Sequence, residues 1–483
     1  MQHIIGTPRE QITLFPEAIE DYISPDNPVR FMDAFVDSLE MVDLGFQHAT
    51  VKDTGRPPYD PKDLLKLYLY GYLNRIRSSR LLERETQRNL EVLWLLKRLS
   101  PDHKTISDFR RAHPEALRKV FKQFVLLCHK LELFGAELVA IDSTKFKASN
   151  ARDRVKDQGQ LNKTLAHINH SITQYLAQVE ENDQQEDAAS TAPLTQEALQ
   201  EKIAHLEQQK TQLEDALREL QETDAKYISL TDPDCRLMKN ERRIEAAYTL
   251  QAAVDAKHSL LIDYELTNEA ADNNHLSVVA LQAKTMLGVE ELTVCADAGY
   301  YDTVDLKTCE DNDILTYVPI PEHKVSKKTN VPTPDYYPDR FTYDAASDRY
   351  CCPQGKLMTY YRTTQKGDGR FIRIYRTAAC KDCPVRSQCT TSPRGRYIYR
   401  WEEEAVLDRL KQRLTAAHIL PQRKAIIEHV FGTLKKIWGF GVLLLRGLKQ
   451  IASEMALMSL AYNCRRALSI LGTTRLMAYL HAT

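Results

Sequence analysis

The stretch ELVAIDSTKFKAS, Glu137 to Ser149, constrains the fold more than any other part of the chain. Leu138 to Ile141 form a short apolar run, β-branched and bounded by polar residues, which suits a buried central strand better than a helix. Asp142 stands directly behind it. A carboxylate at the end of a buried strand is costly to desolvate unless a cation or donor compensates it. Two later stretches carry acids in comparable settings. Leu292 to Asp302 (LTVCADAGYYD) reads as a strand that leads to Asp297, with Gly299 to turn the chain. Arg423 to Phe440 (RKAIIEHVFGTLKKIWGF) reads as one helix with Glu428 among basic residues. Taken singly, Asp142 or Asp297 is better explained as a cap or turn residue. Together, three acids from distant parts of one chain point to two-metal phosphodiester chemistry, in which a few carboxylates, water and phosphate oxygens complete the octahedra of two Mg2+ ions about 4 Å apart.

A chain of 483 residues, 27% charged and 43% hydrophobic, is long enough for several structural units and a sizeable core. The start MQHIIGTPREQ does not read as a signal peptide, and no apolar run reaches the roughly 18 residues of a membrane span, so the expectation is a cytoplasmic protein without a membrane partner. Ten cysteines in so long a chain do not make a disulfide scaffold, and half of them fall between Cys351 and Cys389. The net charge of -1 hides an asymmetry: residues 180–224 are acidic, whereas Arg75 to Arg111 and Tyr360 to Arg400 are basic. Local fields of this kind steer a polyanion, although each patch taken alone also fits an ordinary solvated face.

In chain order, residues 1–134 read as a helical N-terminal domain. Pro28 starts one helix, and Asp60 caps another with Pro61 at its first position. Leu64, Leu65, Tyr68, Leu69 and Tyr72 recur at helical spacing. Thr105 with Asp108 fits a capping box. Short helices with a basic face allow a DNA-binding helix-turn-helix through Arg75, Arg77, Arg80, Arg84, Arg110 and Arg111; a plain helical packing domain fits the pattern as well. Residues 135–480 then read as a mixed α+β domain with a central sheet, interrupted twice. The first interruption, 155–228, carries two heptad-patterned segments joined by an acidic low-complexity linker, an antiparallel helical hairpin that serves as a spacer. Next come AAYTLQAAVDA and LLIDYELTNE as a strand hairpin, followed by alternating helices and strands. The second interruption, 321–417, is rich in Tyr, Pro and Arg and reads as short antiparallel strands. Within it Cys380-x2-Cys383-x5-Cys389, with Cys352 upstream and Cys351 as its substitute, has the spacing of a structural Zn2+ site; reduced, partly buried thiols are the alternative.

Competing chemistries lack their marks: no phosphate loop, nucleophile elbow, HExxH or dinucleotide fingerprint is present. Asp255, Asp263 and Asp272 are rival carboxylates, assigned to a hairpin turn, an alternating strand and a helix cap. Arg423, Lys424, Lys435 and Lys436 accompany Glu428 at helical spacing and could grip DNA phosphates.

The blocks GRPPYDPKDLLKLYLYGYLNRIRSSRLLE, SPDHKTISDFRR, VAIDSTKF, YTLQAAVD, VCADAGYYD and IIEHVFGTLKKIWGF, in this order over nearly the whole chain, resemble DDE transposases of bacterial insertion sequences. In that group a ribonuclease-H-like catalytic domain is interrupted by a β insertion and preceded by helices. The resemblance implies Asp142, Asp297 and Glu428 as the acid triad, Asp142 bridging two Mg2+ ions, with Mn2+ as a substitute, and the other acids holding one each. It implies Lys435 as a phosphate contact. The family's pattern also has an arginine and a tyrosine before the glutamate; here Lys424 and Pro421 stand in those places. The implied activity is binding of terminal inverted repeats, nicking by water and strand transfer by the freed 3′-hydroxyl, with DNA ends held by a homodimer. A stand-alone metal-dependent nuclease and a domesticated DNA-binding protein are the rivals.

Overall fold

The computed structural model describes residues 18–50, 57–151, 154–184, 196–222, 226–240, 243–321, 330–367, 369, 371–416 and 419–482. The N-terminal stretch and the acidic linker read above lie outside the described residues. The fold is mixed α+β and divides into two units, residues 1–272, 278–292 and 422–483 in the first, and 273–277 and 293–421 in the second.

The first unit opens with helices whose starts are set by local caps. The Asn27 side chain accepts the Val29 N–H and Pro28 occupies the first position of α1 (Pro28–Asp37), which leads to the short α2 (Met41–Leu44). Asp60 accepts the Lys62 N–H at the start of α3 (Pro61–Leu73). Every residue of α3 from Leu64 to Leu73 is buried, not only one stripe, because α1 and further helices surround it. Even Lys66 is buried, and its ammonium is held 2.6 Å from Asp33 and 2.8 Å from Asp37. α4 (Ser79–Arg88), α5 (Leu90–Leu95), α6 (His103–Ala112) and α7 (Pro114–Lys130) follow. The expected capping box at Thr105 and Asp108 is not the cap of α6. Asp102 accepts the N–H groups of Lys104 and Thr105 and also the Thr105 hydroxyl, while Asp108 binds Arg111. An acid one turn earlier reaches the free N–H groups first.

Strand β1 (Val139–Lys147) corrects the reading in which the strand stops at Asp142. It runs five residues further because β5 (Arg243–Asp255) offers an unbroken antiparallel partner, with register from Val139 opposite Asp255 to Lys147 opposite Ala247. Between them lie β2 (Val155–Lys156), α8 (Gln158–Gln184), α9 (Gln196–Glu222), β3 (Ile228–Ser229) and β4 (Arg236–Asn240). The two heptad segments are thus helices, and Leu161, Ile168, Leu213 and Leu220 form their shared buried seam. The other edge of β5 is divided between β4 and β6 (Leu261–Thr267). Asp255 is buried and accepts the N–H groups of Gly135, Ala136 and Lys257, which makes it a turn lock. Asp263 is buried against Arg118, with Lys122 3.6 Å away, and Asp272 accepts from Gln251. α10 (Leu276–Leu287) follows.

The second unit contains β7 (Leu292–Cys295), α11 (Thr303–Asp311) and β8 (Ile314–Tyr317), with β7 and β8 hydrogen-bonded neighbours. A five-stranded antiparallel sheet follows: β9 (Thr342–Asp344), β10 (Arg349–Cys351), β11 (Leu357–Gln365), β12 (Phe371–Arg376) and, after the short α12 (Arg386–Cys389), β13 (Tyr397–Trp401), in the order β13-β12-β11-β10-β9. Phe341, Tyr350, Met358, Tyr375 and Ile398 close one of its faces. α13 (Ala405–Ala416) ends the unit.

The chain returns to the first unit with α14 (Leu420–Gly432) and α15 (Leu448–Ala482), which packs on α7, α3 and α1 and bends at Gly472, φ 74°. No helix among the described residues is long and apolar enough to cross a membrane.

Candidate active site

Strand alternation places Asp142, Thr144 and Phe146 on one face of β1. The helix expected from Arg423 to Phe440 covers that face, but α14 ends at Gly432 and continues as a π-helical turn, Thr433–Ile437. The Thr433 hydroxyl donates back to the His429 carbonyl at 2.6 Å, and the Trp438 N–H reaches the Thr433 carbonyl at 2.8 Å, which widens the turn. Ile426, Ile427, Val430 and Leu434 are buried beneath it. After the turn the chain is pinned beside β1 by Lys147 N–H to Gly441 O, 3.0 Å, and Leu443 N–H to Lys147 O, 2.8 Å.

This packing assembles a cleft of about 640 Å3 lined by Asp142, Ser143, Thr144, Lys239, Arg423, Lys424, Glu428 and Lys435 among others. The Arg423 guanidinium is paired with the Asp142 carboxylate, which also accepts the Ser143 N–H at 2.7 Å. Glu428 is 65% exposed and stands 3.6 Å from the Lys424 ammonium. Lys435 donates to the Thr144 hydroxyl at 3.2 Å and lies 5.8 Å from the centre of the Phe146 ring. Asp142 and Glu428, far apart in sequence, therefore open on one cavity, each met by a cation of α14. Lys239 and its neighbour Asn240 line the cavity too, from the end of β4, and the short polar-flanked stretch RLMKN gave no signal for them.

Asp297 belongs to the second unit. It follows β7 by two residues, and its carboxylate accepts the Gly299 N–H at 2.8 Å as the cap of a 3-10 turn, Ala298–Tyr300. Its setting is the strand-then-acid arrangement read from the sequence.

The six N-terminal arginines divide. Arg75, Arg80, Arg84 and Arg111 are exposed. Arg110 is buried at 5% exposure, donates to the Tyr72 hydroxyl and the Arg77 carbonyl, and lies over the Tyr68 ring. Arg77 is 2.9 Å from the fully buried Glu454 and stacks on Phe440. Both guanidiniums are thus engaged inside the fold, unlike the four exposed arginines.

In the second unit the Cys389 thiol is pushed up by burial, opposed by the Arg396 guanidinium, and raised further by Cys380, Cys352 and Cys383. Cys352 and Cys389 pack on the closed face of the sheet, and Cys352 Sγ accepts the Lys356 N–H at 3.3 Å. A Cβ on Gly395, φ 86°, would come within 2.9 Å of Cys380 Cβ, so the loop needs glycine there. Arg396 is buried beside these thiols, and its Nε has no hydrogen-bond partner among the described residues. Among the described residues, no group of three or more His, Cys, Asp and Glu side chains is close enough to hold a metal ion as it stands.

Two family models match the chain. A transposase domain (DUF772) covers residues 17–112, and a transposase DDE domain covers residues 351–468, which includes Glu428 and Lys435. No curated protein and no solved structure matches. The N-terminal helices and the C-terminal segment that builds the cleft thus both match transposase families, in the order read from the residues, and together they support a DDE transposase of insertion-sequence type.

Proposed function

We propose that this transposase binds the inverted-repeat ends of an insertion sequence, nicks them by metal-dependent hydrolysis, and joins the freed 3′-hydroxyl to target DNA. The observation that carries the reading is the cleft itself, where Asp142 and Glu428 share one cavity with Arg423, Lys424 and Lys435. The donor chemistry fits Mg2+ or Mn2+, since carboxylate and hydroxyl oxygens of Asp142, Glu428, Ser143 and Thr144 are hard ligands at one opening. Asp297 is the proposed third acid. When bound, two such ions supply charge relief at the leaving oxygen and lower the pKa of the attacking water.

The chain's own residues have separate tasks. Asp142 and Glu428 hold positive charge where phosphate must approach. Arg423 and Lys424 compensate these carboxylates in the structure, and with metal bound there they would be available to phosphate oxygens. Lys435, oriented by Thr144 and by the π turn, is the contact that positions the scissile phosphate. Arg75, Arg80, Arg84 and Arg111 contribute DNA contacts of lower specificity. The β1–β5–β6 meander of the first unit and the β7–α11–β8 succession of the second support a ribonuclease-H-like catalytic domain, with a homodimer holding the two ends. A structural zinc on Cys352, Cys380, Cys383 and Cys389 is also proposed, on their spacing and on their mutual electrostatic influence: the four thiols would have to draw together to hold it, and the net negative charge of such a site would find a cation in buried Arg396.

The test is a supercoiled plasmid carrying the element's ends, incubated with Mg2+ and the full chain. Nicking and strand transfer that disappear in Asp142→Ala and Glu428→Ala, with end binding retained, support the proposal. Nicking without strand transfer favours the stand-alone nuclease, and full cleavage by Glu428→Ala removes the reading altogether.

A further inference from the structure

The two faces of the five-stranded sheet of the second unit differ in chemistry: one is closed by an apolar cluster, and the other, the open face, exposes Tyr361, Arg362, Arg376 and Tyr399 around the buried Ile374. On the closed face the cations have acids: Arg373 lies 2.5 Å from Asp348, which also accepts the hydroxyls of Tyr343 and Tyr375, and Arg400 lies 2.7 Å from Asp408. Strand register fixes the composition of the other face. Arg376 stands opposite Thr359 and Tyr397, and Ile374 stands opposite Arg362 and Tyr399. No carboxylate enters these rows. A register shift between Tyr360 and Arg362 sets Tyr361 beside them, and the Arg376 guanidinium lies 3.7 Å from its ring centre. The Tyr361 ring is 6.4 Å from that of Tyr397. Tyr361 is 43% exposed and Tyr399 is 61% exposed. Among the described residues neither Arg362 nor Arg376 has an ion-pair partner.

Exposed tyrosines on a sheet have flat faces for stacking, and arginines without acids attract a polyanion along the same surface. Duplex DNA hides the faces of its bases; a single strand presents bases and phosphates together. We infer that the open face of this sheet, through Tyr361, Tyr399, Arg362 and Arg376, binds single-stranded DNA. The face shares no residue with the acid cleft. It would take the strand exposed when an end is opened, by stacking rather than by base-edge readout, so it would accept any sequence with unpaired bases.

The test uses the full chain and fluorescein-labelled oligo(dT) of about 20 nucleotides, read by anisotropy at two salt concentrations against a blunt random-sequence duplex of equal length. Tyr361→Ala and Tyr399→Ala are each expected to weaken oligo(dT) binding about tenfold, Tyr399→Phe to leave it unchanged, and Arg376→Ala to lower the salt slope by roughly 0.7. Duplex binding and plasmid nicking should not change in the tyrosine variants. Asp142→Ala should bind oligo(dT) like the unaltered chain, so failure of the cleavage reading and failure of this one are distinguishable. Thermal unfolding of each variant separates lost binding from lost fold. Unchanged oligo(dT) affinity in the Tyr361→Ala, Tyr399→Ala double variant overturns the inference. So does tighter binding of oligo(U), which assigns the face to RNA, or a concentration-dependent dimer that the double variant abolishes while oligo(dT) binding persists.

Discussion

The cleft beside α14 and the open face of the five-stranded sheet both rely on arginine, with opposite surroundings. In the cleft Arg423 is paired to Asp142, and Lys424 stands near Glu428, so cations compensate acids that would otherwise repel each other and the incoming DNA. On the sheet Arg376 rests on Tyr361 with no acid in its row. The difference separates two tasks that a net charge of -1 cannot reveal. Acids plus cations suit a site that must hold metal and phosphate in turn, whereas cations plus aromatic rings suit one that only binds. The N-terminal helices form a third case, in which Arg77 and Arg110 serve the core.

The largest effect that can break this division is in the cleft. Asp142→Ala, Asp297→Ala or Glu428→Ala should each lower Mg2+-dependent nicking about a thousandfold or more, because what is lost is stabilisation of transition-state charge rather than docking. End binding measured by gel retardation should change by less than about threefold, since a removed carboxylate takes no phosphate contact with it. Equal loss of binding and cleavage would merge the two tasks. Removal of divalent ions by chelation should reproduce the loss without unfolding the first unit.

The next effect concerns the sheet's own support. If Cys352, Cys380, Cys383 and Cys389 hold zinc, purified protein contains one zinc per chain, and Cys383→Ser releases it and costs the second unit about 3 kcal/mol or more. Oligo(dT) binding should then fall with the sheet while the first unit keeps its unfolding transition. Metal analysis that finds no zinc would leave the thiols as packed, reduced cysteines.

A smaller effect tests the N-terminal arginines. Arg110→Ala removes a buried guanidinium from Tyr72 and Tyr68 and should cost about 2 kcal/mol of stability. Arg80→Ala and Arg84→Ala, both exposed, should stay within about 0.5 kcal/mol in stability and instead reduce the salt dependence of end binding. A stable Arg110→Ala variant with weakened DNA binding would restore Arg110 to the DNA surface.

The sequence made local structure legible wherever a short-range rule governs it. Asp60 with Pro61 did start α3, and the hairpin of β5 and β6 followed from alternation and a short turn. Asp142, behind an apolar strand, and Glu428, among cations on a helix, line one cleft, without Asp297 in its lining. What failed depended on partners distant in sequence. β1 outruns Asp142 because β5 pairs with all of it, and no window around Asp142 contains β5. Arg77 and Arg110 looked basic and exposed because Glu454 and the Tyr72 hydroxyl reach them only through the packed fold. The π turn that carries Lys435 depends on Thr433 bonding back to His429 and on the return of Trp438, which helical periodicity averages away.

The smallest predicted effect is a titration, and it asks whether the first unit has a pH-sensitive joint away from its cleft. His113 is buried at 5% exposure, and burial holds its pKa below the usual histidine value. Its Nε2 accepts the Gln47 N–H at 2.9 Å, and its Nδ1 lies 2.7 Å from the Phe109 carbonyl, so the neutral ring with the proton on Nδ1 satisfies both neighbours. A proton added to Nε2 would face the Gln47 donor. Because the folded value lies below the unfolded one, the stabilisation is fully present above pH about 6.5, the unfolded value, and is lost as pH falls through the folded value. The cost should be about 1 kcal/mol, that of one buried acceptor turned into an opposing donor. Burial lowers His258 and His429 in the same direction, so the measurement must isolate one ring. Denaturant unfolding of the full chain at pH 7.5 and pH 5 should show a loss that is about 1 kcal/mol smaller in His113→Gln, which cannot protonate. An identical pH dependence in that variant assigns the loss to the other histidines and leaves the joint of Gln47, Phe109 and His113 insensitive to acid.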